Sequence, residues 1–295
     1  MSGCPDECEY SESLLFADDD KVFRIIQCIS DCLRLQSDLN RLFEWCSTWK
    51  IHLNLTKCNF IYFSNKRNKI DFVYRLGDHV IEKVDVIKDL GVYFSSNMIF
   101  RYHIEKTVSS SLRMLGFVYR TCKAFDDVDV LISLYKSLVR TKVEYCSSIW
   151  SPTQDYLIKK VERVQKRLVR WAAFKRGLDY ESTDYIVLCD IFKLQTLESR
   201  RCRTDLVNFN KIITAKINCS YLLSQIVFYV PVPASRRRPS RSRRRDRLFS
   251  DDGRINIRKR SYFPRIMNFA NSRSDIDFYE PNLLKFKTSL FSITL

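Results

Sequence analysis

Apolar and polar positions change their period along this chain, and those changes divide it. The first apolar run, Ser13–Ile26 (SLLFADDDKVFRII), leads in through Leu14, Leu15, Phe16 and Ala17 and out through Val22, Phe23, Ile25 and Ile26. It predicts two short strands, both expected to be buried, around an acidic turn of Asp18, Asp19 and Asp20. Cys28, Cys32, Leu35, Leu39, Leu42, Cys46 and Trp49 then recur at alternating steps of four and three, which keeps one helical face apolar. Leu33, Phe43 and Trp45 widen that stripe beyond a coiled-coil seam, so packing onto a sheet is favoured over a dimer. Arg34, Asp38 and Arg41 fall on other faces. Short strands are expected at Lys57–Ser64, at Phe72–Leu76 paired with His79–Val84 through Gly77-Asp78, and at Asp89–Phe94 (DLGVYF).

From Tyr102 the period becomes helical and stays so, which places a boundary near Asn97. Ile104, Val108, Leu112, Leu115 and Tyr119 mark one helix, and Val128, Leu131, Leu134, Tyr135 and Leu138 the next. Leu157, Val161, Val164, Leu168 and Trp171 mark a third, and Ile191–Ile217 contains a fourth. After Leu223 the pattern dissolves into FYVPVPASRRRPSRSRRRDRLF, which reads as a flexible surface segment. Ser261–Leu295 regains apolar content, with one short helix expected near Asn282–Leu290. The fold class is therefore α+β, with strands meeting in hairpins before a mostly helical region.

Composition narrows this picture. Apolar residues at 45% and few glycines and prolines (6 and 7) support a real core and long regular elements. No run approaches the ~18 apolar residues of a membrane span, and Met1–Ser13 is acidic and polar rather than a signal sequence. The expectation is an intracellular protein, nuclear or cytoplasmic, with no membrane partner. The eleven cysteines then read as reduced thiols. Cys4/Cys8 and Cys28/Cys32 have a spacing that zinc could use, but Cys28 and Cys32 fall on an apolar helical stripe and no histidine sits at ligand spacing. The net charge is +16; residues 236–260 hold twelve Lys/Arg and three Asp, a net of +9, leaving +7 on the rest. Such a distribution suits a polyanionic partner, although a basic segment alone is a weak signal.

Two features carry candidate chemistry. Adjacent aspartates at a tight turn repel one another, and a divalent cation relieves that repulsion. Mg²⁺ prefers one or two carboxylates with phosphate oxygens, so Asp18 and Asp19 are candidate metal ligands; a solvated acidic turn is the plainer alternative. The second feature is a basic stripe, Lys159, Arg163, Lys166 and Arg170, roughly opposite the apolar one and broadened by Lys160, Arg167, Lys175 and Arg176. It could contact a nucleic-acid backbone or be an ordinary solvated face. Arg236, Arg237, Arg238, Arg243, Arg244 and Arg245 could also track phosphates or act as a nuclear import signal.

The segment LLFADDDKVF resembles the aromatic-Ala-Asp-Asp hairpin of the reverse-transcriptase palm, in the form found in non-LTR retrotransposons of the jockey-like LINE group. LNRLFEWCSTWKIHLNLTKCNFIYFS is similar to the family's next block, and VIKDLGVYFSSNMIFRYHI to the one after it. LYKSLVRTKVEYCSSIWSP and IKKVERVQKRLVR resemble its thumb-like helices, and PNLLKFKTSL its last patch. The likeness runs over roughly residues 13–210 with weaker echoes beyond. It implies an RNA-directed DNA polymerase fold with a partial palm at 1–97, a helical thumb-like domain at 98–222 and a basic tail at 223–295. It also implies that Asp18 and Asp19 are catalytic and hold Mg²⁺, that Leu90-Gly91 lies in a primer-grip block, and that RNA and DNA (template and primer) are partners. Lys57 matches the lysine of the L-N-x-x-K-C block. Asp20 departs from the pattern, which commonly has Thr or Ser there. A further metal-binding aspartate, the fingers and an endonuclease domain are expected upstream in such elements, and only twelve residues precede Ser13. The expectation is a C-terminal fragment inactive by itself, with non-catalytic RNA or DNA binding as the alternative.

Overall fold

The computed structural model describes residues 8–64, 70–124, 127–226, 259, 261–273 and 275–291. The chain forms two compact units, Met1–Ile99 and Phe100–Leu295, in an α+β arrangement.

In the first unit β1 (Glu12–Phe16) and β2 (Asp19–Phe23) pair antiparallel, with Phe16 opposite Asp19 and Ala17-Asp18 as the turn. Ala17 has φ +54°, the left-handed value that a type II′ hairpin needs at its first central position and that glycine usually supplies. α1 (Ile29–Thr48) follows. Its apolar stripe holds Cys32, fully buried, against Tyr74, Leu76 and Ile81, with Leu35, Leu39 and Phe43 beside them. The stripe thus packs onto strands of its own unit. Cys28 leaves the stripe: it is the exposed residue that starts the helix.

Three further pairs complete the unit: β3 (Asn59–Phe60) parallel with β6 (Glu82–Lys83), β4 (Arg75–Leu76) antiparallel with β5 (His79–Val80), and β7 (Val86–Asp89) antiparallel with β8 (Val92–Ser95). The strand expected over Lys57–Ser64 shrinks to Asn59–Phe60. The DLGVYF segment is not one strand. Leu90 (φ +43°) and Gly91 (φ +86°) form a tight turn with both central residues left-handed, so Asp89 ends one strand and Val92 begins the next. Gly77 (φ +58°) turns the β4–β5 hairpin where a Cβ would sit 2.8 Å from the Phe43 ring, which leaves room only for glycine.

The second unit is helical. α2 (Arg101–Thr121) packs on α6 (Asp155–Lys175). α3 (Val128–Leu134), a π-helical stretch (Tyr135–Arg140) and α4 (Thr141–Glu144) run on without a break, and α5 (Ser147–Trp150) leads toward α6. α7 (Tyr185–Ile191) and α8 (Leu197–Ile213) are capped by Asp184 and Thr196, whose side chains accept from Ile186 N and Ser199 N. α6 ends at Gly177 (φ +67°), where Gly177 N donates to Phe174 O and Leu178 N to Ala173 O, the paired bonds of a Schellman stop. A short α9 (Ser220–Ser224) follows.

Beyond Ser261 the structure has two helices where the sequence pattern predicts one: α10 (Tyr262–Ser272) and α11 (Leu283–Ser289). They belong to the core rather than to a loose tail. Ile266, Met267, Ile276, Phe278 and Phe286 are buried against Leu206, Phe209 and Ile212 of α8. The Asn210 amide, fully buried, donates to Phe278 O and Glu280 O at 3.0 Å each and fixes that segment. Among the described residues no helix is long and apolar enough to cross a membrane.

Candidate functional site

The acidic turn stands in solvent. Asp18 is the second turn residue and Asp19 the first of β2, and both are exposed. Asp20 accepts the Ser13 hydroxyl across the hairpin at 2.6 Å. The expected burial of the two strands is not found: Leu14, Leu15 and Phe16 are 59%, 53% and 59% exposed. The reason is topological. β1 and β2 form a sheet of two strands, and a lone hairpin has no second layer to cover its apolar residues.

Anchors that sequence reasoning missed hold this hairpin. Lys21 Nζ lies 2.7 Å from Asp89 Oδ1, which ties β2 to the end of β7 beside the Leu90-Gly91 turn. Asp38, assigned by its spacing to a polar face, has no exposed surface; its carboxylate accepts from Glu9 N at 3.0 Å and Tyr10 N at 3.1 Å. Asp31, one turn into α1, accepts from Gln27 N (3.0 Å) and Cys28 N (3.2 Å) and pairs with Arg24 (3.1 Å). The Gln27 backbone bond, with help from Arg24 and Cys28, holds its carboxyl well below the usual carboxylate range. Asp31 lies three residues past the exposed Cys28 and could have been read as the second half of a capping box. Asp38 gives no local signal, because its partners lie 28 and 29 residues away.

Asp18 and Asp19 offer exposed carboxylate oxygens, the donor type that Mg²⁺ prefers. Among the described residues no group of three or more His, Cys, Asp or Glu is placed to hold a metal ion. Of the cysteine pairs, Cys28 and Cys32 are free thiols, and Cys4 lies outside the described residues.

The basic stripe of α6 is exposed along its length. Lys159, Arg163, Lys166, Arg167 and Arg170 all face solvent, and none forms an ion pair among the described residues. Lys166 lies 4.9 Å over the Tyr185 ring and Arg170 4.6 Å over the Tyr180 ring, contacts that orient each cation without neutralising it. Three of the four flanking cations are engaged elsewhere. Lys160 pairs with Glu105 at 2.7 Å, Lys175 donates to Cys122 O at 3.1 Å, and Arg176 lies 3.4 Å from Asp129.

The opposite face of α6 is locked into the unit. Gln165, with no exposed surface, accepts from Tyr135 Oη at 3.0 Å and donates to Tyr185 Oη at 3.0 Å and Gln195 O at 2.8 Å. Tyr185 Oη donates onward to Glu162 Oε1 at 2.5 Å, and that oxygen also receives Leu197 N at 3.0 Å. Burial, then the neighbouring Glu162 carboxylate, pushes the Tyr185 hydroxyl far above its usual range. This network joins the π-helical stretch, α6, α7 and the start of α8, so the basic stripe is displayed by a rigid support. A cavity of about 170 Å³ beside α8 and α10, lined by Arg201, Asp205, Arg265 and Phe269 among others, contains none of the sequence candidates. Arg236, Arg237, Arg238, Arg243, Arg244 and Arg245 lie outside the described residues.

Comparison with known proteins adds one relative. Over 171 residues, 56% of this chain, the sequence is 25% identical to a protein of Drosophila melanogaster described as a probable RNA-directed DNA polymerase from transposon X-element. The match spans 19% of that protein's length. The likeness supports reverse-transcriptase ancestry for the chain. No protein-family model and no solved structure matches it.

Proposed function

We propose that this chain is the C-terminal portion of a reverse transcriptase of the jockey-like, non-LTR retrotransposon type, and that it does not polymerise DNA unaided. One observation carries the reading: the Ala17-Asp18 turn, with Asp19 beside it, and the Leu90-Gly91 turn, from two separate resembling blocks, are tied within one unit by the 2.7 Å Lys21–Asp89 ion pair. Polymerases of this kind need carboxylates beside the primer end, and such a link keeps the two hairpins in register. The exposed pair Asp18 and Asp19 would hold Mg²⁺, and the ion would supply charge stabilisation to phosphate oxygens. Catalysis by positioning needs a fixed donor set, and two exposed carboxylates with no third ligand among the described residues do not fix one. Primer extension on an RNA template with Mg²⁺ or Mn²⁺ tests this. No extension is expected from the chain alone; extension that vanishes on Asp18→Ala would overturn it.

The unpaired basic stripe of α6 favours a second reading, nucleic-acid binding without chemistry. Here α6 serves as a thumb-like helix whose cations contact phosphates, a term that supplies most sequence-independent affinity. RNA binding that weakens steeply with salt and survives Asp18→Ala is the expected result. Binding abolished by Asp18→Ala would count against it. Deleting residues 236–247 measures the contribution of the Arg-rich segment.

A further inference from the structure

The basic stripe of α6 has a feature that backbone binding alone does not use. Tyr156 lies one helical step before Lys159 and Phe174 one step after Arg170, at spacings of three and four residues. Both rings therefore fall on the same face as Lys159, Arg163, Arg167 and Arg170 and bracket them. Tyr156 is 53% exposed and Phe174 83% exposed, and neither meets another ring among the described residues. The Schellman stop at Gly177 ends the helix just beyond Phe174, so no following turn covers the ring. The acid in mid-helix, Glu162, is turned inward and only 7% exposed. The other acid of α6, Asp155, is exposed in the first turn four residues before Lys159, so the cations from Arg163 to Arg170 form a stripe without acids, with an exposed ring beyond each end. The two rings are about 27 Å apart along the axis at 1.5 Å per residue.

We propose that this face binds single-stranded nucleic acid, with phosphates along the cations and unpaired bases stacked on Tyr156 and Phe174. The proposal rests on the nucleic-acid reading of α6 given above and deepens it. Charge complementarity selects a polyanion, and the rings select among polyanions. In a duplex each base face is covered by the next base, so an exposed ring on the protein finds only sugar and phosphate. A single strand offers uncovered faces, and stacking on an aromatic ring is tolerant of sequence. Lys166 and Arg170, lying over the Tyr185 and Tyr180 rings, are exposed between the two platforms.

The test compares a labelled single-stranded oligonucleotide with a hairpin duplex of equal length, both titrated with the full chain. The double variant Tyr156→Ala, Phe174→Ala should weaken single-strand binding by about ten-fold or more while changing duplex binding by less than about two-fold. Because both rings are exposed, the circular dichroism spectrum should not change. An unchanged single-strand affinity, or an equal loss for the duplex, overturns the proposal. A second variant, Arg163→Gln with Arg170→Gln, separates stacking from phosphate binding. If it weakens both ligands while the ring variant does nothing, the stacking inference falls and the α6 reading stands. If it leaves both ligands unaffected, the α6 reading falls and the inference with it.

Discussion

His103 provides a measure of how tightly the helical unit is packed. It sits in the first turn of α2, only 4% exposed, its ring centroid 5.2 Å from that of Trp150 and Nε2 3.3 Å from Thr107 Oγ1. Burial lowers its pKa from 6.5 to about 4. Between those values the unfolded chain binds a proton that the folded chain does not. Stability contributed by neutral His103 is therefore complete above pH 6.5 and is lost as the pH falls toward 4. At pH 5 the loss relative to pH 7.5 comes to about 2 kcal/mol. Urea unfolding of the whole chain at both pH values, followed by circular dichroism, measures it against His103→Gln. Carboxylates and the other two histidines contribute equally to both proteins and cancel in the difference. The variant should lose about 2 kcal/mol less than the wild type on going to pH 5. An equal loss in the two proteins would show that His103 is not held neutral, and the packing around Trp150 would have to be looser than described.

Three further substitutions probe other parts of the structure. Gly77→Ala places a Cβ 2.8 Å from Phe43 at a left-handed φ and should cost about 1–3 kcal/mol, seen as a lower urea midpoint. Gln165→Leu leaves Gln195 O and two tyrosine hydroxyls without their shared partner, a loss of about 2–4 kcal/mol by the same assay. Phe286→Ala, far out in sequence, should cost about 3–5 kcal/mol because its ring is 1% exposed against the α8 core; a change below about 1 kcal/mol would restore the loose-tail reading.

What was legible in the sequence was whatever depended on period. α1 and α6 follow from their 4-3 spacing, and the outward basic face of α6 follows from the same arithmetic. What was not legible depended on distant partners or on turn geometry. Asp38 looks like a surface residue until Glu9 and Tyr10 arrive to donate to it. The DLGVYF run contains enough β-favouring residues to pass for a strand, but Leu90 and Gly91 are both left-handed and reverse the chain. α10 was not read from the pattern; its Pro264 sits in the first turn, where its missing N–H has no helical acceptor to lose. For the candidate site, the acidic turn was placed by its flanking residues, whereas its exposure and its Lys21–Asp89 tether needed the fold.

Both the thumb-like reading of α6 and the single-strand inference require its outer face to meet phosphates. The direct measurement is the affinity of the full chain for a single-stranded RNA across a series of salt concentrations, repeated with Lys159, Arg163 and Arg170 all changed to Gln. Each phosphate that is no longer neutralised should flatten the plot of log K against log salt by about 0.7, so the triple variant should be shallower by about 2. A slope identical to that of the wild type would mean that these cations touch no nucleic acid.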